Sequence, residues 1–459
     1  MALTTPHAKV VQSVLSCLNN DKDIKRYWIA YSGGIDSHVL LHAISSHRHH
    51  FPQVSFHAVH INHALNRQAD QWAEHCRKIS EQLKIPYLDI DVDATPAAGE
   101  SPEARAREVR YQALVKLIKP GDCLLTAHHQ DDQVETLLLQ LMRGSGPKGL
   151  AAMPRWTAFG LGRLARPLMQ VRREDIHTYA IANQLNWIHD ESNLDTRFDR
   201  NFIRHEVVPK LLQRWPSLAQ TVTRSARYCA EAAELMDDAA QSILDILNPG
   251  GGSGLPVSGL MTLSQIQQRN VLRYWIHKSG YNTPSSAQLQ QLVDQVLLAA
   301  PDSMPRITWE GCEVRRYRGQ LYIMSPLHPV PAGKSIPWNL EEPLQIGGIG
   351  VLSAQHTRGR GVATHFVKPG AVTVGFRRGG ETIQPLGRTQ HHVLKKLFQE
   401  QGIPPWIRDR VPLVYIGGEL AAVGEWFVSH PFAAQADEPG IVFQWLAEQD
   451  AGSARLPEV

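Results

Sequence analysis

Ser32-Gly33-Gly34-Ile35-Asp36-Ser37 directly follows an apolar run, Tyr27–Tyr31, and directly precedes a helical run from His38 to Ile44. Two glycines let a backbone turn tightly and approach a ligand, and hydroxyls with free amides at a helix start suit an anion. Pyrophosphate is the natural occupant. The run lacks the Gly-Lys-Ser/Thr ending of a Walker loop and the third glycine of the dinucleotide fingerprint. Asp36 is the unusual residue for an anion site, and a magnesium-mediated role reconciles it with phosphates.

A second cluster, Thr126-Ala127-His128-His129-Gln130-Asp131-Asp132-Gln133-Val134-Glu135-Thr136, lies where a strand gives way to a helix. Three carboxylates gathered there are costly without a cation, either magnesium or the ammonium group of a substrate. Asp132 and Glu135, three apart, project together from the helix, with Asp131 a step to one side. The plain alternative is a helix N-terminus that simply favours acids. Glu103, Arg107 and Arg110 share one helical stripe, which reads either as contacts to an anion or as a solvated ion-pair face. His60 and His63 sit at an edge where open parallel sheets bind ligands. With no third ligand nearby, polar nucleotide contacts or loop packing outweigh a metal there.

These residues need a scaffold, and the first 150 residues alternate short apolar runs with helix-period stretches, the pattern of a parallel sheet with crossover helices. Tyr27–Tyr31, Val54–Val59, Pro86–Val92 and Cys123–Ala127 are the expected strands. Val10, Val11, Val14, Leu15 and Leu18 mark an opening amphipathic helix, and Ser101 with Pro102 start another as N-cap and first helical residue. The expected class is α/β: a parallel-sheet nucleotide-binding domain over 1–215, a small mostly helical domain over 216–328 entered by a long alanine-rich helix at about 217–247, and a mixed α+β domain over 329–459. The Gly250–Gly254 run reads as a surface loop, because no strand leads into it. One helix is expected near Val393–Gln401.

A chain of 459 residues with 43% hydrophobic and 20% charged residues is folded rather than disordered. No apolar run reaches the roughly 18 residues of a spanning helix, and the N-terminus carries no secretory signal, so a cytoplasmic protein with no membrane partner is expected. Cys17, Cys76, Cys123, Cys229 and Cys312 form no close pair, which argues against a disulfide framework or a thiolate metal site. A net charge of +3 is too small to declare a nucleic-acid partner. Local excesses say more: residues 155–214 hold ten Arg/Lys against seven Asp/Glu, and residues 371–410 hold seven against three.

The run from Ser32 to Ser37 resembles the signature of the PP-loop ATP pyrophosphatase superfamily. With Glu103–Tyr111, Ala127–Thr136, Arg143-Gly144-Ser145-Gly146, Arg166-Pro167-Leu168, Trp187, Asp190–Asn193 and Arg200–Arg204, the chain resembles the tRNA(Ile)-lysidine synthetase family. Phe376–Glu381, Leu394–Gln399 and Pro404-Pro405-Trp406 are similar to the last domain of its long, three-domain members. Thr389-Gln390-His391-His392-Val393 departs from the family, which often has Ser and Lys there.

The resemblance implies a ligase that uses ATP and Mg2+ to adenylylate C2 of the wobble cytidine in an isoleucine tRNA with a CAU anticodon. The ε-amine of L-lysine then displaces AMP to give lysidine, changing codon and amino-acid identity from methionine to isoleucine. By carry-over, Ser32, Gly33, Gly34, Ile35, Asp36 and Ser37 hold ATP, and Asp132 with Glu135 hold lysine. Asp36, Asp132 and Glu135 form the catalytic set. Arg107, Arg110 and His128 contact phosphates or substrate, the two arginines suiting the phosphates or the lysine carboxylate; independently of the resemblance, His128 or a nearby carboxylate can serve as base. Arg200, Arg204, Arg377, Arg378, Arg388, Lys395, Lys396 and Arg408 are expected at the tRNA. The protein alone supplies no metal site, magnesium arriving with ATP through Asp36, and no obligate protein partner is implied. The rivals are tRNA thiolases, which lack support without paired cysteines, ATP-dependent amidotransferases, for which no glutaminase signature is present, and a non-catalytic tRNA-binding protein, which would have a degraded phosphate loop.

Overall fold

The computed structural model describes residues 5–62, 69–96, 102–250, 252, 254–300, 303–330 and 333–447. His63, Ala64, Leu65, Ser101, Gly251 and Ser253 lie outside these residues, as do the side chains of Glu103 and Glu191.

The first compact unit, residues 1–235, is built on one sheet. α1 (Pro6–Leu18) opens with proline at its first turn, and the Thr5 hydroxyl accepts from the Ala8 amide at 3.2 Å. The chain continues through β1 (Arg26–Ala30), α2 (Ile35–His47), β2 (Ser55–Asn62), α3 (Ala69–Gln82), β3 (Tyr87–Asp91), α4 (Pro102–Leu117), β4 (Asp122–Leu125) and α5 (Gln130–Met142). A turn of helix, α6 (Pro147–Leu150), precedes β5 (Trp156–Phe159), β6 (Gly162–Ala165) and α7 (Arg173–Ala182). Three helical pieces close the unit: α8 (Asp199–Phe202), a π-helical turn at Ile203–Val207, and α9 (Val208–Arg214).

Strand order is β3-β2-β1-β4-β6-β5, parallel except for the β5–β6 hairpin. β1 is apolar at consecutive positions because it is covered on both faces. Tyr27, Ile29 and Tyr31 join the layer that holds α1, α2 and Cys76, whereas Trp28 packs with Leu114 of α4 and with Ile118 just beyond that helix. β2 and β4 flank β1 in register, Arg26 pairing with both Ser55 and Asp122. The two chemistry-bearing motifs therefore leave the same edge of the sheet from adjacent strands, where its two halves diverge. β2 extends through Asn62, so His60 lies within the strand, buried, with Nδ1 at 2.9 Å from the Tyr31 carbonyl.

α10 (Leu218–Leu247) carries the chain into the second compact unit, residues 236–459. There, helices Val257–Met261, Gln265–Lys278 and Ser286–Gln291 accompany a four-stranded antiparallel sheet that includes the hairpin Cys312–Tyr317 and Gln320–Met324. The remainder is mixed: five-stranded and four-stranded antiparallel sheets enclose an apolar core against helix Leu394–Glu400, which buries Leu394, Leu397 and Phe398. The architecture is thus a parallel-sheet α/β unit, a helical region and an antiparallel C-terminal part, as expected.

Of the two loop glycines, only Gly33 uses conformational freedom: its φ is +81°, and a Cβ there would stand 2.3 Å from Ile188 Cδ1. Gly34 has φ −70° and would meet only Ser32 Oγ at 3.6 Å. Gly33→Ala should therefore lose at least about 1–2 kcal/mol of stability in urea unfolding, whereas Gly34→Ala should be nearly neutral for stability.

Candidate active site

The backbone between β1 and α2 is folded by its own hydroxyls. Ser37 Oγ donates to the Gly34 carbonyl at 2.9 Å, accepts from the Ser32 amide at 3.2 Å, and lies 3.1 Å from Ser32 Oγ. Ser37 is buried and closes the loop, while Ser32 is exposed. Ile188 donates its amide to the Gly33 carbonyl at 3.0 Å, tying the 180s segment to the turn. No side chain caps α2, so its first amides remain directed at the mouth of the loop, an anion site by geometry and dipole.

Asp36 sits in the first turn of α2 with Oδ1 buried and without a hydrogen-bond partner, and Oδ2 is 3.8 Å from His129 Nε2. Burial raises its carboxyl above the usual range, against the opposing pull of His129, with Asp132 adding to the rise. Among the described residues no group of three or more His, Cys, Asp or Glu is arranged to hold a metal. Asp36 Oδ1 fits one ligand position of a divalent cation, whose remaining ligands would come from nucleotide oxygens and water.

On the neighbouring strand end, Asp132 caps its own helix: its Oδ2 accepts from the His129 amide at 2.9 Å. Asp131 points elsewhere and accepts from the Arg173 amide at 2.8 Å. Asp132 and Glu135 do project together, and the cations between them come from the chain itself. Arg200 donates Nε to Glu135 at 2.8 Å and Nη2 to Asp132 at 3.0 Å. Arg204 donates Nε to Glu135 at 2.6 Å and Nη2 to Asp132 at 3.1 Å and to Glu135 at 2.8 Å. The carboxylates are buried, their side chains 9% and 3% exposed, with the arginines at 24% and 19%. Arg200 and Arg204, four apart, meet a pair three apart, so two local periodicities interlock across the fold.

His129 is buried between Asp36, Asp131 and Asp132, at 3.8, 3.7 and 3.6 Å. Its neighbour His128 lies 2.9 Å from Thr126 Oγ1. Burial pushes His128 down to about 3, the charges of Arg166, Arg200 and Arg107 adding to the drop against Asp132. Arg107 lies exposed with its guanidinium 5.1 Å from the Tyr111 ring centroid, and Arg110 lies at 5.7 Å from the same ring.

The C-terminal basic residues divide by environment. Arg408 is 5% exposed, donating Nε to the Ile403 carbonyl at 2.7 Å and Nη2 to Tyr317 Oη at 2.8 Å. Arg377 pairs with Asp409 at 3.1 Å, Arg388 with Glu400 at 2.7 Å, and Arg378 donates to the Gly333 carbonyl at 3.0 Å. Lys395 and Lys396 are exposed. Lys395, Arg377, Arg408 and Arg318 line a cavity of about 680 Å³. Arg318, on the turn of the 312–324 hairpin, was not singled out by the sequence; its only signal is a basic residue before Gly319.

Against the burial that would raise it, His129 and the Arg200 guanidinium, with His128 and the His129 backbone amide, hold the Asp132 carboxyl well below the usual carboxylate range. A depressed folded value stabilises above the unfolded pKa of about 3.9 and is lost as pH falls toward the folded value. Asp132→Asn should cost about 3 kcal/mol at pH 7, and the wild-type advantage over it should shrink steadily below pH 4 in urea unfolding followed across pH.

Family models match most of this chain: a PP-loop domain over residues 6–211, a TilS substrate binding domain over 255–322 and a TilS substrate C-terminal domain over 372–445. Among curated relatives, the chain is 44% identical to tRNA(Ile)-lysidine synthase of Coxiella burnetii, the match covering 90% of this chain and 92% of the relative. It is 42% identical to the enzyme of the same name from Methylococcus capsulatus, over 91% and 96%. For that from Alkalilimnicola ehrlichii the identity is 41%, over 89% and 91%. With near full-length matches on both sides and the nucleotide loop intact, the chain belongs to the tRNA(Ile)-lysidine synthase family, enzymes built on a PP-loop domain.

Proposed function

We propose that this enzyme ligates L-lysine to C2 of the wobble cytidine of an isoleucine tRNA bearing a CAU anticodon. The observation that carries the reading is the placement, on adjacent strands of one sheet edge, of an uncapped helix start suited to polyphosphate and a buried acid pair suited to an ammonium group, in a chain of this family. ATP adenylylates the cytidine O2, releasing pyrophosphate, and the lysine ε-amine displaces AMP to give lysidine, so that the codon read changes from methionine to isoleucine.

In this reading Ser32, Gly33, Gly34, Ile35, Asp36 and Ser37 form the ATP loop, Ser37 by closing it and the backbone by donating to phosphate oxygens. Magnesium, accompanying ATP, would neutralise phosphate charge beside Asp36. Asp132 and Glu135 receive the α-ammonium of lysine. All four of their oxygens already accept a hydrogen bond, so one guanidinium gives way when the ammonium enters. The attacking amine must be neutral although its free pKa is about 10.4. Its proton passes to His128 or to a carboxylate facing it.

Three domains, 1–215, 216–328 and 329–459, divide the labour between catalysis and tRNA placement. Lys395, Lys396 and Arg378 are the exposed groups with reach to phosphates, Arg377 and Arg388 act from ion pairs, and Arg408 positions its neighbours. Among the described residues no helix is long and apolar enough to cross a membrane, and the reaction belongs with cytoplasmic tRNA.

The test is ATP- and magnesium-dependent incorporation of labelled L-lysine into tRNA, followed by nucleoside mass analysis, with label in wobble lysidine as the expected result. Pyrophosphate release without lysine incorporation would contradict it. Asp36→Ala should abolish pyrophosphate release while tRNA affinity stays near normal. Replacing Lys395 and Lys396 together by Gln should weaken tRNA binding uniformly and lower the slope of log K against log salt by about 1–2, whereas Arg408→Met should leave the slope unchanged.

A further inference from the structure

Among the described residues of the first unit, Arg166 is the buried cation that the reaction as described leaves unused. It immediately follows β6, whose last residue, Ala165, pairs with Leu125 of β4 and accepts from the Thr126 amide at 3.0 Å. Arg166 thus leaves the sheet edge abreast of Thr126 and His128, on the side of β4 opposite to β1 and its phosphate loop. The side chain is only 8% exposed. Its Nη1 is fixed on the Pro154 carbonyl at 2.6 Å, and its backbone amide donates to the Arg155 carbonyl at 2.9 Å.

Nothing supplies the opposite charge. Nε is buried without an acceptor, and among the described residues no carboxylate stands within ion-pair distance of Arg166. Burial is the main cost at Arg166, Tyr111 offsetting it and Arg107 adding to it, and Arg166, Arg200 and Arg107 all bear on His128. A fixed guanidinium in low dielectric with an unused N–H is poised for an anionic oxygen. The acid pair Asp132 and Glu135 follows β4 and Arg166 follows its neighbour β6, so carboxylates and an orphaned guanidinium leave adjacent strands. That is the complement of a zwitterion.

Resting on the reading that L-lysine is the amine, we propose that Arg166 binds its α-carboxylate, so that the site recognises an α-amino acid by both charged ends and leaves the side-chain amine free to react. Phosphate is the other source of anionic oxygen, but the amides that suit it open from β1, with β4 intervening between them and Arg166.

The test compares L-lysine with L-lysinamide, whose carboxylate is replaced by a neutral amide, in steady-state ligation by the full chain with tRNA and magnesium-ATP. Arg166→Gln should raise the KM for lysine at least about 30-fold, leave the KM for ATP within about twofold, and erase the wild-type preference for lysine over lysinamide by the same factor. Arg166→Lys, which keeps a point charge without the fork, should retain part of that preference. It carries the test alone if Arg166→Gln does not fold, and an undiminished preference in it would then overturn the proposal. So would an unchanged lysine KM in Arg166→Gln, an equal loss for both amines, or a rise confined to ATP. A wild-type enzyme that incorporates no lysine at all would instead refute the assignment of lysine as substrate.

Discussion

Two buried carboxylates and two half-buried guanidiniums set the terms for this site. Asp132 and Glu135 at the start of α5 share five hydrogen bonds with Arg200 and Arg204. Either carboxylate left unpaired at that depth would cost several kcal/mol. The helical segment from Asp199 to Arg214 is thereby held against α5, and apolar contacts of Val134 with Ile203 and Val208 continue the seam. Asp132 also caps its helix through the His129 amide, so the charge cluster and the local start of α5 are one construction.

The sheet gives that cluster its meaning. Because β1 and β4 are parallel neighbours, the open amides of α2 and the acidic start of α5 emerge side by side. His129, buried between Asp36 and Asp132, is the side chain that links them. A helix start suited to polyphosphate and a buried acid pair are brought to one edge without either being built by the other. The loop itself needs little from outside: Ser37 closes it, and Ile188 packs where a side chain on Gly33 would stand.

Much of this was legible in the sequence because it is local. Short apolar runs placed the first four strands to within a residue or two, β2 running three residues longer because its end remains paired to β3 at Ile61 and Asn62, and the helix expected over His38–Ile44 extends three residues further at each end. The i, i+3 spacing of Asp132 and Glu135 foretold their shared direction. Their partners were not legible: Arg200 and Arg204 lie 65 and 69 residues away, and no spacing rule couples positions that only the fold brings together. The sequence therefore left magnesium or a substrate ammonium as the cation where the structure has arginine. Charge counting likewise grouped Arg408 with Lys395 and Lys396, although burial against Tyr317 gives it a different environment. Arg166 shows the same limit from the other side, since an orphaned Nε is a property of packing and not of composition.

The central claim is that the acid pair is held by the chain's own arginines, and a double-mutant cycle between Glu135 and Arg204 tests it most directly. Unfolding free energies of wild type, Glu135→Gln, Arg204→Gln and the double variant should yield a coupling energy of about 2–4 kcal/mol, because each single change strands a buried charge that the double change removes. A coupling within about 0.5 kcal/mol of zero, the value for independent sites, would contradict the account.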